Sequence, residues 1–144
     1  MTYDIIAAAP ADAAELEKLE KRCFSDPWSL QSLSDEIVHP DAIVLTAQSC
    51  GGMLGYIAMR DISGEAELMR VAADPDCRRL GIGRALLETA LLLCEKRSVT
   101  AVHLEVEEGN TAAITLYEKT GFTVDGRRPG YYGDKAAILM TKVI

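Results

Sequence analysis

Apolar positions recur at helical spacing through residues 85 to about 97. Leu86, Leu87, Ala90, Leu91, Leu93 and Cys94 share the pattern, and no Gly or Pro interrupts it. A helix is therefore predicted there. It follows an apolar stretch, residues 68–73, that reads as a strand. A turn at Asp74, Pro75 and Asp76 and a basic loop over residues 78–84 join the two. Beyond the helix the period changes to two. Val102, Leu104 and Val106 fall on one face of a predicted strand at 101–107, with His103, Glu105 and Glu107 on the other.

The rest of the chain parses into shorter elements. Residues 3–9 read as a first strand, and Asp12 as the cap of a helix over 13–23. Residues 24–29 break that helix, since Pro27 drives Asp26 towards extended backbone. Ser29 or Ser32 opens a short helix through Val38. Residues 42–47 and 53–59 form a hairpin about Gly51 and Gly52, and residues 62–64 turn into the central strand. Asn110 caps a helix over 111–120, closed by Gly121. Residues 122–124 and 136–143 form a closing antiparallel pair around a Gly- and Arg-rich segment, 126–133.

Three strands in succession, then strand–helix–strand–helix–strand, define an α/β class: a mixed sheet with helices on its faces. The crossover makes the strand at 101–107 parallel to the central one. Parallel strands are usually apolar on both faces, so the polar row His103, Glu105, Glu107 asks for water. Either the sheet is uncovered there or a cleft opens.

With 144 residues the chain is expected to form a single domain, 1–144. Its apolar content of 49% excludes disorder. No apolar run approaches the roughly 18 residues that span a bilayer. Residues 1–4 lack the features of a signal peptide, so a cytoplasmic location without membrane contact is expected. Four scattered cysteines and two distant histidines suggest neither disulfides nor a metal. A net charge of −7 argues against nucleic acid and suits a basic partner, although acidic balance is common in other soluble proteins too.

Against that acidity, Arg78, Arg79 and Arg84 stand out beside Gly81 and Gly83. Glycines at a helix entry let main-chain N–H groups approach an anion, aided by the helix dipole and arginine donors. The segment reads as a phosphate cradle; an ordinary turn with solvated arginines is the alternative. It is not a P-loop, which needs Lys and Ser or Thr where Arg84 and Ala85 stand. Nor is it a dinucleotide fingerprint, which needs a small residue where Leu86 stands.

Arg78-Arg79-Leu80-Gly81-Ile82-Gly83 fits the form Q/R-x-x-G-x-G/A, preceded by VAADPDC and followed by RALL. With the stretches RCFSDPWS (22–29), HLEVEEGNTAAITLYEKTGF (103–122) and YYGDKAAILM (131–140), the chain resembles the GCN5-related N-acetyltransferase (GNAT) superfamily. Within it, the chain is most similar to the ribosomal-protein-alanine N-acetyltransferase group. The resemblance implies the GNAT fold, with helices on both faces of the sheet and a V-shaped split between its central parallel strands. It also implies direct transfer of acetyl from acetyl-CoA, without a metal, to the N-terminal amine of a ribosomal protein. A small-molecule or lysine acetyltransferase and a non-catalytic CoA-binding module are the alternatives. A monomer or weak dimer is expected.

By that likeness Glu105 is the general base and Tyr117 the general acid. Val71, Ala72 and Ala73 would hold the acetyl and pantetheine portion through their main chain, with an Ala72 N–H freed by a bulge to meet the oxyanion. Arg78, Arg79, Leu80, Gly81, Ile82, Gly83 and Arg84 would wrap the pyrophosphate, and Asn110 would contact the cofactor. Trp28, Glu107, Tyr131 and Tyr132 are candidate acceptor-binding residues, although the aromatic ones could equally close a core edge and Glu107 could equally be a solvated strand end. Arg70 stands where many relatives carry Asn, and Ala136 where they carry an acidic residue.

Overall fold

A computed structural model describes residues 2–144, apart from Arg79 and the side chain of Tyr132. The strands are β1 (Asp4–Ala7), β2 (Ala42–Ser49), β3 (Gly52–Ile62), β4 (Glu65–Ala73), β5 (Ala101–Glu107), β6 (Thr123–Tyr132) and β7 (Lys135–Val143). The helices are α1 (Ala13–Cys23), α2 (Leu30–Ile37), α3 (Ile82–Lys96) and α4 (Thr111–Lys119). All the strands join one mixed sheet in the order β1-β2-β3-β4-β5-β7-β6. The pair β4–β5 is parallel and the other neighbours are antiparallel.

Two apolar layers cover the faces. Ile57, Met59, Ala66 and Leu68 pack with Leu86, Leu87 and Ala90 of α3 and Tyr117 of α4. On the opposite face Tyr56, Ala58 and Ala72 pack with Leu16 and Leu19 of α1 and Leu33 of α2. Strand alternation explains the division along β3. Along β4 the alternation is broken once. Met59 pairs with Leu68 and Ala58 with Arg70, so Met69 is the extra residue of a bulge. That insertion puts Leu68 and Val71 in one layer and turns Arg70 and Ala72 towards α1 and α2.

Most elements differ from the sequence reading by a few residues at their ends, and two of the differences change the picture. Gly81 is the N-cap of α3 at φ 74°, so the helix begins at Ile82 rather than at residue 85. The left-handed glycine ends the loop, and Gly83 and Arg84 belong to the first helical turn. The Gly- and Arg-rich segment is not a loop between two short strands but most of β6, carried by irregularities near Asp125 and residues 129–131. β6 is a sheet edge, where the N–H missing at Pro129 interrupts no second ladder. β7 lies between β5 and β6.

Candidate active site

The site begins where the parallel pair comes apart. β4 and β5 are in register at Glu65↔Ala101, Ala66↔Val102 and Glu67↔His103, and not beyond. Past that point β4 keeps β3 as a partner on one side while its other edge faces an opening. The main-chain groups on that edge follow from the antiparallel alternation. Asp74 N–H donates to the Leu54 carbonyl at 2.7 Å, so two residues back Ala72 also addresses β3. The Ala72 carbonyl would stand 2.5 Å from a Cβ added to Gly55, on that same side. Val71 and Ala73 therefore turn their N–H and carbonyl groups to the split. The expectation of an Ala72 N–H freed by the bulge is thus corrected: the bulge lies at Met69, Ala72 addresses β3, and Val71 is the first residue after the bulge on β4 whose N–H faces the split.

The mouth of α3 completes a cavity of about 710 Å³ along this edge. Ala85 N–H makes the first helical bond, to the Gly81 carbonyl at 2.9 Å. The N–H groups of Ile82, Gly83 and Arg84 precede it, without intrahelical partners and at the positive end of the helix dipole. A Cβ on Gly81 would meet nothing within 4 Å; its positive φ is what calls for glycine. Val71, Ala72, Ala73, Arg78, Gly81, Ile82, Gly83, Arg84 and Asn110 all line this cavity. Leu80 does not, being 47% exposed, and Arg79 lies outside the described residues. Arg84 also holds Glu88 at 2.6 Å. An edge of free main-chain amides leading to a helix N-terminus with two arginines suits an amide-containing chain that ends in phosphates.

A second cavity, about 440 Å³, adjoins the first and shares Cys23, Phe24, Val71, Asn110 and Ala113 with it. Glu105, Glu107 and Tyr117 line the second cavity and not the first, and Glu105 also borders a smaller cavity of about 250 Å³ with Glu67, His103 and Asp125. Strand β5 presents the carboxylates because its alternation buries Val102, Leu104 and Val106 on the other face. A cleft, then, accounts for part of the polar row. Glu105 has Arg128 Nη1 at 3.3 Å and Glu107 has Lys135 Nζ at 3.1 Å. His103 instead lies between Glu65 and Thr141 on the exposed surface. Asn110 accepts the Ala113 N–H at 3.2 Å, capping α4 and aiming it at the junction of the cavities. Tyr117 on α4 is buried, its ring 5.8 Å from that of Phe122.

The wall facing them is the segment between α1 and α2, through Phe24, Ser25 and Asp26. Cys23 marks its start, donating its thiol to the Ala73 carbonyl at 3.3 Å. Burial raises that thiol's pKa, and the nearby Arg78 partly offsets it. Of the candidate acceptor residues whose side chains are described, only Glu107 lines the second cavity. Trp28 lies on a neighbouring groove with Arg60 and Met69. Tyr131 is half exposed, with the Arg128 guanidinium 5.0 Å from its ring, and the Tyr132 side chain is outside the described residues. Glu20, Arg128 and Lys135 carry no local signal in the sequence, because their partners are far along the chain. Arg70 is marked in the sequence only by its departure from the family pattern.

Among the described residues no group of three or more His, Cys, Asp or Glu could hold a metal ion. No helix there is long and apolar enough to cross a membrane.

The split sheet, the open strand edge and the glycine-capped helix are those of an acyl-CoA N-acyltransferase, and the model of the acetyltransferase (GNAT) family matches residues 13–122: the chain belongs to that family. It is an N-acetyltransferase, and its acetyl donor is acetyl-CoA. More particularly, it is 36% identical over 126 residues to the [ribosomal protein bS18]-alanine N-acetyltransferase of Escherichia coli K12, covering 85% of this chain and 84% of that one. To the enzyme of that name from Salmonella typhimurium it is 35% identical over 144 residues, 96% of this chain and 95% of the other. The crystal structure of the ribosomal-protein-S18-alanine N-acetyltransferase from Escherichia coli superposes with a TM-score of 0.92. There 32% of residues are identical, with coverage of 99% of this chain and 94% of that one.

Proposed function

We propose that this chain acetylates the N-terminal alanine of a small-subunit ribosomal protein in the cytoplasm, as a single catalytic domain. One observation carries the reading. The cavity along the open strand edge meets the one holding Glu105 and Tyr117 at shared residues, Val71 and Asn110 among them. A thioester delivered along the first thus reaches a carboxylate and a phenol in the second.

The chemistry suits those groups. The amine must be neutral to attack, and an α-amino group ionises near 7.7–8.0 against about 10.4 for lysine. The difference makes a terminal amine easier to deprotonate by roughly 3–4 kcal/mol. Glu105, directly or through water, takes the proton from the attacking amine. The main-chain N–H of Val71 donates to the oxyanion as it forms. The C–S bond then breaks, and Tyr117 protonates the departing thiolate. The Ile82, Gly83 and Arg84 amides, with Arg78 and Arg84, hold the pyrophosphate, while Asn110 positions the end of α4 beside the cofactor. Glu107 adds negative potential where a cationic peptide enters.

Intact-mass analysis of acceptors incubated with enzyme and acetyl-CoA tests the proposal. An alanine-initiated basic peptide should gain one acetyl, located on its first residue by fragmentation. Acetylation of internal lysines or polyamines in its place would reassign the acceptor, and no thiol release with any amine would remove the catalytic reading.

A further inference from the structure

We propose that Arg70 is the positioning residue that sets the width of the acceptor cleft, and with it the preference for a small first residue. The inference rests on the acceptor reading above. The bulge at Met69 turns Arg70 away from α3 and under the α1–α2 segment. There its guanidinium carbon lies 4.0 Å from the centre of the Phe24 ring and 5.1 Å from that of Trp28. Its Nη2 donates to the Asp26 carbonyl at 2.8 Å and to the Glu20 carboxylate at 3.2 Å. Glu20 is fully buried, and it also accepts the Trp28 N–H at 2.7 Å and the Tyr56 hydroxyl.

These contacts fall on alternate residues of the segment. Phe24 through its ring, Asp26 through its carbonyl and Trp28 through ring and N–H all engage the Arg70–Glu20 pair. The segment leaves α1 with Phe24 extended, φ −131° and ψ 145°, and bends at Ser25 and Asp26, so these contacts tie it down on both sides of the bend. The pair thus fastens 24, 26 and 28, and Phe24, Ser25 and Asp26 form one wall of the acceptor cavity. The opposite wall carries Glu105 and Tyr117. Fixing the segment fixes the gap between them.

A purely stabilising role explains the arrangement poorly. Arg70 Nε is buried without a hydrogen-bond partner, and a buried ion pair is weak evidence for stability in itself. Each orphaned buried donor calls for an explanation. Here it follows from an orientation imposed by two ring faces and the Nη2 bonds, which leaves Nε facing no acceptor.

The test pairs kinetics with the lone tryptophan. Arg70→Gln should raise the acceptor KM about tenfold while the acetyl-CoA KM stays within about twofold. Its preference for alanine-initiated over leucine-initiated peptides should narrow. Trp28 is the only tryptophan of the chain, and acrylamide should quench its fluorescence more strongly in the variant. Arg70→Lys keeps the charge beside Glu20 but lacks the planar fork; it should fold even if the glutamine variant does not, and still show the raised acceptor KM. Donor and acceptor KM moving together, or unchanged quenching and selectivity, would overturn the proposal. If the wild-type chain ignores alanine-initiated peptides, the acceptor reading falls, yet the quenching comparison still decides whether Arg70 fastens the wall.

Discussion

The two sides of the cleft are built from different materials. The side we propose for the donor is main chain: the free edge of β4 and the first amides of α3, arranged by backbone pairing and one left-handed glycine. The side we propose for the acceptor is side chain. Its carboxylates face Arg128 and Lys135, and its far wall hangs on the Arg70–Glu20 pair. A main-chain surface is set by the fold and tolerates substitution except where φ is special. A side-chain surface changes with each residue, so one scaffold can keep its acetyl donor while its acceptor varies.

The largest expected effect comes from undoing the acceptor wall at its root. Glu20→Ala removes a buried carboxylate that serves the Arg70 guanidinium, the Tyr56 hydroxyl and the Trp28 N–H. Burial and this carboxylate together hold the Tyr56 phenol far above its usual pKa. Breaking a buried pair costs about 3–5 kcal/mol, roughly 10 °C in Tm for a chain of this size. Calorimetry checks it. A Tm within a degree of wild type would mean that the wall does not depend on the pair.

Next comes the chemistry at the junction. Tyr117→Phe should lower kcat about a hundredfold, the usual worth of a positioned acid, with the acetyl-CoA KM nearly unchanged. Unchanged kcat would remove the donor role. Glu105→Gln should cost most at low pH, because the amine must then lose its proton unaided, near pH 8. An unaltered pH–rate profile would remove the base.

The donor side should respond separately. A non-glycine residue at φ 74° costs about 1–2 kcal/mol, so Gly81→Val should raise the acetyl-CoA KM about tenfold while the acceptor KM holds. Steady-state kinetics with each substrate varied would show it. Movement of both constants together would collapse the distinction between the sides.

That distinction also explains what could be read from the chain. The donor side is encoded locally: the spacing of Gly81 and Gly83, the period of the helix after them and the alternation of β5 all lie within a few turns of one another. Even there the helix start was misplaced, since nothing local says which glycine takes the left-handed cap. The acceptor side is encoded at long range. Arg70 and Glu20 are 50 positions apart, and no periodicity joins them. The Met69 bulge, which decides where Arg70 points, leaves no mark in the hydrophobic pattern. Pro129 and Gly130 imply a loop on local grounds, but an edge position lets β6 run through them.

The smallest effect should come from an ion pair at the rim of the acceptor side, set against the buried one. Arg127 holds the Glu108 carboxylate through Nε and Nη2 at 2.8 and 2.9 Å. Its hydrogen bond, the largest influence, pulls the Glu108 pKa below the ordinary carboxylate value. Both groups are exposed, so solvent screens the pair and its worth is small. The sign is still defined. A pKa depressed in the folded state contributes stability above the unfolded value, near 4.3–4.5, and loses it as pH falls through the folded one. Arg127→Gln should therefore lower Tm by no more than about 2 °C at pH 7, with the gap closing towards about pH 3. Melting curves across that range decide it. A gap that persists in acid would mean that the guanidinium contributes through packing. A gap as large as that of Glu20→Ala would erase the contrast between a pair that is buried to hold a wall and one that is solvated at its rim.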